Sequence, residues 1–259
     1  MLVLQPFTSS TEWPGRPASV PAVSVVIAAR DEADCIGKLL GEIVATLETH
    51  EDYEIIVVDD GSADGTADAV RAAVTSHGRI ALLGHRRSCG QSAAIRTGVE
   101  AALGGLIVTL DGDGQNDPAD IPTLLALYRA AAASNGVRMV AGQRVRRNDP
   151  FARRMASRIA NGARARLLGD GIRDTGCGIK VFDREAFLRL PYFDHMHRFL
   201  PALMQREGFK VLTCPVNHRP RSAGRSKYSN WGRLWVGIVD LVGVAWLGRR
   251  FARREIIAE

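Results

Sequence analysis

An α/β fold, a mainly parallel sheet flanked by helices, is predicted for this chain of 259 residues by three features of its sequence. From Val23 onward, short β-branched runs alternate with helical stretches, the order that a parallel sheet with crossover helices requires. The runs are apolar throughout, which implies strands buried on both faces. Each strand of the first half ends in a polar, turn-forming cluster, so several loops line up along the edge where open α/β sheets bind ligands.

Taken in order, Val23 to Ala29 reads as a strand, Cys35 to Thr49 as a helix and Glu54 to Val58 as the second strand. Ala63 to Ser76 follows as a helix, Arg79 to Leu83 as a strand, Gln91 to Leu103 as a helix and Leu106 to Leu110 as a strand. The second half is less regular, with an Arg-rich helical stretch from Pro150 to Leu168 and a short strand from Lys210 to Pro215. No repeat, low-complexity tract or flexible linker divides the halves, so residues 22–230 are expected to form one compact unit. Residues 1–21 lack the pattern of a signal peptide and are broken by Pro6, Pro14, Pro17 and Pro21, which predicts an irregular arm.

With 46% hydrophobic and 24% charged residues, the composition excludes wholesale disorder. The net charge of +6 is carried largely by arginine, which suits flat, bidentate anions. Phosphorylated ligands, nucleic acid and an anionic membrane surface are therefore the candidate partners. Cys35, Cys89, Cys177 and Cys214 are far apart and form no CxxC pair, so they read as free thiols of a reducing compartment. No uncharged apolar run reaches eighteen residues, and no ordinary transmembrane helix is expected.

The most informative stretch runs from Leu106 to Gln115, where an apolar strand ends in Asp111 and Asp113. Residues i and i+2 of an extended segment point the same way, so both carboxylates can reach one object beyond the sheet edge. Such a pair invites a hard divalent cation that completes its shell with water and phosphate oxygens, and the Gln115 amide could add another oxygen. The alternative is an ordinary acidic turn, since Asp and Gly suit turns. Two further loops, Arg30-Asp31-Glu32 and Asp59 to Thr66, can accept hydrogen bonds from a base or ribose. The second also reads as a capped helix start, with Ser62 or Asp64 as the cap. Cys89-Gly90-Gln91-Ser92 opens a helix with small residues that allow close approach of a ligand. The chain has no GxGxxG after its first strand, no GxxxxGK[ST], no GxSxG and no HExxH, so a nucleotide would be held by acids and metal.

Together, Val58-Asp59-Asp60-Gly61-Ser62 with Asp64-Gly65-Thr66, Asp111 to Pro118, and His218-Arg219-Pro220-Arg221 with Gly224 and Ser226-Lys227-Tyr228 resemble the family 2 glycosyltransferases. The resemblance is to their dolichol-phosphate mannosyltransferase-like group and covers roughly Val23 to Arg250. It implies a GT-A-type nucleotide-diphospho-sugar transferase fold, a nucleotide-sugar donor such as GDP-mannose or a UDP-hexose, Mg²⁺ or Mn²⁺, and a polyprenyl or dolichyl phosphate acceptor. Carried over, it places Ala28, Ala29, Arg30, Glu32, Asp59, Asp60, Gly90, Asp111 and Gly112 around the donor, with Asp111, Asp113 and Gln115 holding the metal. The sequence departs at Ala28 and Asp31, where the family usually has Pro and Asn, and at Gly114, where Leu is common.

Gly142-Gln143-Arg144 and Arg153-Arg154 with Ser157 and Asn161 resemble the family's phosphate-facing segment, and Asp174 to Lys180 its substrate-pocket loop. The resemblance implies that Arg154, Ser157, Arg219, Arg221, Ser226 and Lys227 hold the acceptor phosphate. Asp111, Asp113, Arg144 and Asp174 form the catalytic set, in which Asp174 is the base that a hydroxyl acceptor would require. Arg164, Arg166 and Arg189 read as a solvated basic face, and His195 and His197 as ordinary polar residues near an acceptor groove or the surface.

In residues 231–259, Trp231, Leu234, Trp235, Ile238, Val242, Ala245 and Trp246 recur at helical spacing, followed by Arg249, Arg250, Arg253 and Arg254. This predicts a C-terminal amphipathic helix, packed as core or lying on anionic lipid. The combined expectation is an inverting transferase held peripherally on the cytoplasmic face of a membrane, by itself or through a membrane-protein partner. A transferase to a saccharide or protein hydroxyl is the alternative. A non-catalytic nucleotide or nucleic-acid binding module ranks below both, because no RNA-binding aromatic signature accompanies the basic residues, and no nucleic-acid partner is expected.

Overall fold

The computed structural model describes residues 19–49, 51–145, 162, 164–165, 167–172, 174–220 and 230–250. Its elements are β1 (Val23–Ala29), α1 (Ala33–Leu47), β2 (Tyr53–Asp59), α2 (Thr66–Ser76), β3 (Ile80–Gly84), α3 (Gln91–Ala101) and β4 (Leu106–Asp111). They continue with α4 (Ile121–Asn135), β5 (Val137–Arg144), β6 (Lys180–Asp183), α5 (Arg184–Leu188), α6 (Leu200–Arg206), β7 (Lys210–Val216) and α7 (Asn230–Arg249). Short 3₁₀ turns lie at Pro118–Asp120 and Met196–Arg198.

All seven strands join one sheet in the order β3-β2-β1-β4-β6-β5-β7. β1 pairs in parallel with both β2 and β4, whereas β6 runs antiparallel to β4 and β5. The register sets Ala28 beside Asp111 and Ala29 beside Asp59, so the ends of three strands stand level at one edge. The alternation read in the first half is therefore the observed order. The antiparallel β6 and its neighbour β5 complete the sheet from the less regular half.

Each face of the sheet carries its own core, as strands apolar on both sides require. On one face Ile36, Leu39, Leu40, Ile43 and Leu47 of α1, at helical spacing, pack with Val25, Ile27, Ile55 and Val57. On the other, Val99 of α3, Phe187 of α5, Leu203 of α6 and Val244 of α7 surround Val26, Ile56, Ile107 and Phe182.

Some boundaries differ from the sequence reading. α2 begins at Thr66 rather than Ala63, because the residues before it are spent on a turn. The N-cap position falls on Gly65, so neither candidate cap takes that role; Asp64, one residue earlier, accepts from Thr66 N at 2.9 Å and from Ala33 N at 3.2 Å, tying α2 to the start of α1. Arg164 is not on a solvated face but buried, paired with Asp170 and the Ile172 carbonyl. Arg189 is exposed as expected, and Arg166 lies outside the described residues.

α7 docks through Val244, Leu241 and Leu247, while Ile238, Val239, Val242 and Trp246 stay exposed, followed by exposed Arg249 and Arg250. The residues read as one apolar stripe thus include several that face away from the core. Among the described residues no helix is long and apolar enough to cross a membrane.

α3 reaches the sheet through Gly98, where a Cβ would overlap Val26 and approach Val58 Cγ2 to 3.3 Å. Gly98→Ala should push α3 off the sheet and lower stability by about 1–3 kcal/mol, the usual cost of overpacking. The urea midpoint followed by circular dichroism measures this, and an unchanged midpoint would show that α3 can shift without cost.

Candidate active site

At the carboxyl edge of the sheet the first three loops are braced by acidic side chains. Asp31 accepts from Ala63 N at 2.7 Å, while its own N–H donates to Ser62 Oγ at 2.9 Å. Asp31 has a φ of 51°, the left-handed region that Asp and Asn tolerate better than most residues, which explains how Asp serves where the family usually has Asn. Asp59 accepts from the N–H and hydroxyl of Ser62. Arg30 reaches across to Ser88 Oγ at 2.8 Å. Gly61, at a φ of 67°, permits the second loop to pass so close to the third that a Cβ would lie 2.7 Å from Ser88 N.

Asp60 holds the third loop. One carboxylate oxygen meets His85 Nδ1 at 2.7 Å and Cys89 N at 2.8 Å; the other accepts from Ser88 Oγ at 2.7 Å and Gly90 N at 2.9 Å. Burial alone would raise its pKa, but donation by Cys89, His85, Ser88 and Gly90 outweighs it and holds the carboxyl below its ordinary value. Four donors fill the four acceptor positions of a carboxylate. Asp60 therefore shapes the loop that a nucleoside would meet, including Gly90. His85, Asp60 and Cys89 bring ligand-capable atoms within 4.8 Å of one another, but both His85 nitrogens are engaged, Nε2 with Thr97 Oγ1 at 3.0 Å.

The loop after β4 is built differently. Asp111 accepts from Gln91 Nε2 at 2.7 Å. Its backbone N–H donates to Asn116 Oδ1 at 3.1 Å, and Asp113, which is buried, accepts from Gln115 N at 3.1 Å. Burial and then the charge of Asp113 push the Asp111 carboxyl up, against the opposing influence of Lys180, Gln91 and Arg144. Two carboxylates crowded at the end of one strand form an all-oxygen donor set that fits Mg²⁺ or Mn²⁺. Gln115 lies in the same loop, and its carbonyl accepts from Arg219 N at 2.9 Å. Gly112 packs against Ala29, where a Cβ would come within 3.2 Å of the alanine methyl. Gly178, just before β6, fits against this loop only without a side chain: a Cβ there would overlap the Asp111 carboxylate and lie 2.6 Å from Asn116 Oδ1.

Arg144 and Asp174 meet as a bidentate pair, with Nε and Nη2 each 2.7 Å from a carboxylate oxygen. The Arg144 N–H adds a bond of 3.2 Å. Burial would lower the Arg144 pKa, but Asp174 outweighs it and raises the guanidinium above its usual value. With both oxygens held by a cation, Asp174 is placed to orient Arg144, an arrangement poorly suited to a general base.

Between Asp111 and Asp174 opens a cavity of about 360 Å³, with Lys180, His197 and Arg198 also on its walls. Lys180 is 4% exposed and donates to the Cys177 carbonyl. Burial pushes its ammonium down, while Cys177, Asp111 and Asp174 act to raise it. His197, read as an ordinary polar residue, shares Ser92 Oγ through both its ring Nδ1 at 2.8 Å and its backbone N–H at 3.2 Å. Gln91 and Lys180 fall in segments read from the sequence as a ligand-approach loop and a substrate-pocket loop, whereas His197 was not legible as a site residue because no motif joins it to them.

Other candidates are placed apart or lie outside the described residues. The Arg219 guanidinium is held by Glu42 and, at 2.7 Å, by Asp117, so it braces α1 to the loop after β4 rather than standing open to a phosphate. Arg154, Ser157, Arg221, Ser226 and Lys227 lie outside the described residues. Ala28 and Glu32 stand at the end of β1, the Glu32 N–H donating to Thr66 Oγ1 at 2.8 Å. The four cysteines are free thiols, Cys89 exposed and the others buried.

Beside this acid-lined carboxyl edge, polar cavity and mixed sheet, residues 24–190 match the family described as Glycosyl transferase family 2. The chain belongs to that family. It is 34% identical over 212 residues to the undecaprenyl-phosphate 4-deoxy-4-formamido-L-arabinose transferase of Edwardsiella ictaluri, covering 81% of this chain and 64% of the relative. It is also 32% identical over 236 residues to the dodecaprenyl-phosphate galacturonate synthase of Rhizobium johnstonii, covering 89% of this chain and 68% of the relative. The chain thus spans about 64% of the length of the first of these proteins. Among solved structures, mannosyl-3-phosphoglycerate synthase from Rubrobacter xylanophilus superposes with a TM-score of 0.69 at 19% identity, covering 90% of this chain and 77% of that one. Glucosyl-3-phosphoglycerate synthase from Mycobacterium tuberculosis, in complex with Mn²⁺, UDP-glucose and phosphoglyceric acid, does so with 0.65 at 16%, covering 90% and 81%. These likenesses establish the shared GT-A-type α/β fold.

Burial first, and then Arg198, Lys180 and His195, depress the His197 pKa from 6.5 to about 3. Below pH 6.5 the unfolded chain gains a proton at this position that the folded chain refuses until about pH 3, so the stability it contributes is full above that window and falls as pH drops through it. His197→Gln should flatten the decline of stability on acidification, read from urea midpoints at several pH values. An unaltered slope would mean that the imidazole is protonated in the fold.

Proposed function

We propose that this chain is an inverting glycosyltransferase that moves a sugar from a nucleotide diphosphate-sugar, GDP-mannose or a UDP-hexose, to a polyprenyl phosphate at a membrane surface. The observation that carries this reading is the contrast between the two acids of the cavity: burial and the crowding charge of Asp113 push the Asp111 carboxyl up, while Asp174 is closed by Arg144 in a bidentate pair. The relatives whose names include undecaprenyl or dodecaprenyl phosphate support the acceptor class.

Asp111 and Asp113, with Gln115 beside them, would hold Mg²⁺ or Mn²⁺, which supplies charge neutralisation of the leaving diphosphate. Gln91 orients Asp111, and the loops braced by Asp31, Asp59 and Asp60 receive the nucleoside. The acceptor phosphate attacks the anomeric carbon from the side opposite the departing nucleoside diphosphate. A phosphate monoester has a second pKa of about 6 and is largely dianionic at neutral pH, so no side chain need remove a proton. Arg144, fixed by Asp174, together with Arg154, Ser157, Arg221, Ser226 and Lys227, holds that phosphate by charge and hydrogen bonds.

Membrane contact falls to α7. Ile238, Val242 and Trp246 are exposed one helical turn apart, with Arg249 and Arg250 beyond them, the combination that seats a helix on anionic lipid. Attachment is then peripheral, on the cytoplasmic face.

Incubation with Mn²⁺ or Mg²⁺, radiolabelled UDP- and GDP-sugars and polyprenyl phosphate should yield organic-extractable label. Asp113→Asn and Gly178→Ala should each lower transfer by about 100-fold or more, the scale seen when transition-state charge stabilisation is lost. Transfer that survives Lys227→Ala intact, with label appearing in a water-soluble glycan instead, would establish the hydroxyl-acceptor alternative. For the membrane reading, Val242→Ser with Trp246→Ser should reduce co-sedimentation with phosphatidylglycerol vesicles several-fold; equal sedimentation of variant and parent would remove α7 from the interface.

A further inference from the structure

One wall of the cavity carries an imidazole whose proton position is fixed by its neighbours. Ser92, in the first turn of α3, is 1% exposed, and among the described residues its hydroxyl meets two groups, both on His197: the backbone N–H at 3.2 Å and the ring Nδ1 at 2.8 Å. A backbone N–H can only donate, so it takes a lone pair of the Ser92 oxygen. The buried hydroxyl proton is then satisfied by donation to Nδ1, and leaving it without an acceptor would be costly. Nδ1 therefore accepts, and the single proton of the neutral ring sits on Nε2. The surroundings favour that neutral ring: burial first, and then the charges of Arg198, Lys180 and His195, oppose a second proton. Nε2 is the polar atom left over. Among the described residues no group accepts from it, and it is not one of the nitrogens sealed from solvent without a partner.

We infer that the cavity holds the transferred sugar and that His197, through its Nε2–H, donates a hydrogen bond to one of the sugar's hydroxyl oxygens and so determines which sugar is accepted. The inference rests on the proposed function above and specifies how the sugar is read. In that reaction the anomeric carbon must lie between the leaving diphosphate at Asp111 and Asp113 and the acceptor phosphate at Arg144. The cavity opens between Asp111 and Asp174, the partner of Arg144, and its volume of about 360 Å³ lies within the range of small-ligand sites. Neighbouring residues of α3 divide the work on its wall: Gln91 bonds Asp111 at 2.7 Å, Ser92 fixes His197, and Ile95, one turn on, adds apolar surface. A neutral donor with one proton in a fixed direction suits an uncharged oxygen, whereas a phosphate is met more strongly by charged donors. A sugar without a hydroxyl at this point would cover the Nε2–H with carbon and leave it unpaired, which is how a polar site rejects an analogue. Ser92 acts through His197 and is a positioning residue, because it keeps the proton on Nε2.

The proton position is tested by ¹⁵N NMR of histidine-labelled protein, with His197→Gln for assignment: His197 should be the neutral Nε2–H tautomer at neutral pH, and Ser92→Ala should turn it into a mixture. Equilibrium binding in Mn²⁺ then compares UDP-glucose and GDP-mannose with each of their monodeoxy-sugar analogues, and with bare UDP and GDP, which report the fold and donor site of every variant. At least one deoxy analogue should bind about fivefold or more weakly than its parent, the cost of an unpaired donor. His197→Leu should erase that difference, and His197→Gln, which keeps an N–H, should retain part of it; a merely structural role would weaken parent and analogue alike. An Nδ1–H tautomer or an imidazolium, or a deoxy penalty that is absent or survives His197→Leu, overturns the inference alone. Failure of both UDP and GDP to bind the parent protein overturns the donor-site reading, and this inference with it.

Discussion

The level register of β2, β1 and β4 is the constraint on which the site depends. These strands are buried on both faces and locked in parallel, with Ala29 beside Asp59 and Ala28 beside Asp111, so their ends cannot slip without moving apolar residues of two cores. Every loop that follows starts from the same line. Short acidic bridges then suffice to hold the loops against one another, because the distances they span are set by strand pairing.

Two acidic pairs leave this edge and meet different ends. Asp59 and Asp60 are adjacent in the chain, so their side chains diverge: Asp59 finds its donors in Ser62 of its own loop, and Asp60 collects four from the next loop. Asp111 and Asp113 are two apart and crowd each other, with Gln91 as the side-chain donor to Asp111. The first pair consequently stabilises protein, and the second is the pair proposed to hold a cation. Electrostatics thus separates bracing from binding among carboxylates that look equivalent in composition.

The reversal of chain direction at β6 gives the cavity its chemistry. An antiparallel strand brings its N-terminal end to the carboxyl edge of β4, so Gly178 packs on Asp111 and Lys180 lines the cavity. The 3₁₀ turn at Met196–Arg198 closes the far wall, and His195 of the same segment meets Asp240 of α7 at 3.2 Å. The helix proposed to touch lipid is therefore joined directly to a wall of the cavity.

The sequence by itself determined the alternating first half, the edge at which the acidic loops gather, the paired carboxylates and the four free thiols, because each follows from local pattern or from spacing within one element. It showed that Arg144 and Asp174 matter to the site only through family resemblance, and could not show that they neutralise each other. Only the tertiary structure decided that Asp60 is saturated, that Arg164 is buried, that Arg219 is held by Glu42 and Asp117, and that Gln91, Lys180 and His197 converge on one cavity. The physical reason is common to all of these. A side chain's chemistry depends on the donors, acceptors and charges that reach it from distant parts of the chain, and those partners are brought together only when strand pairing and helix packing are complete.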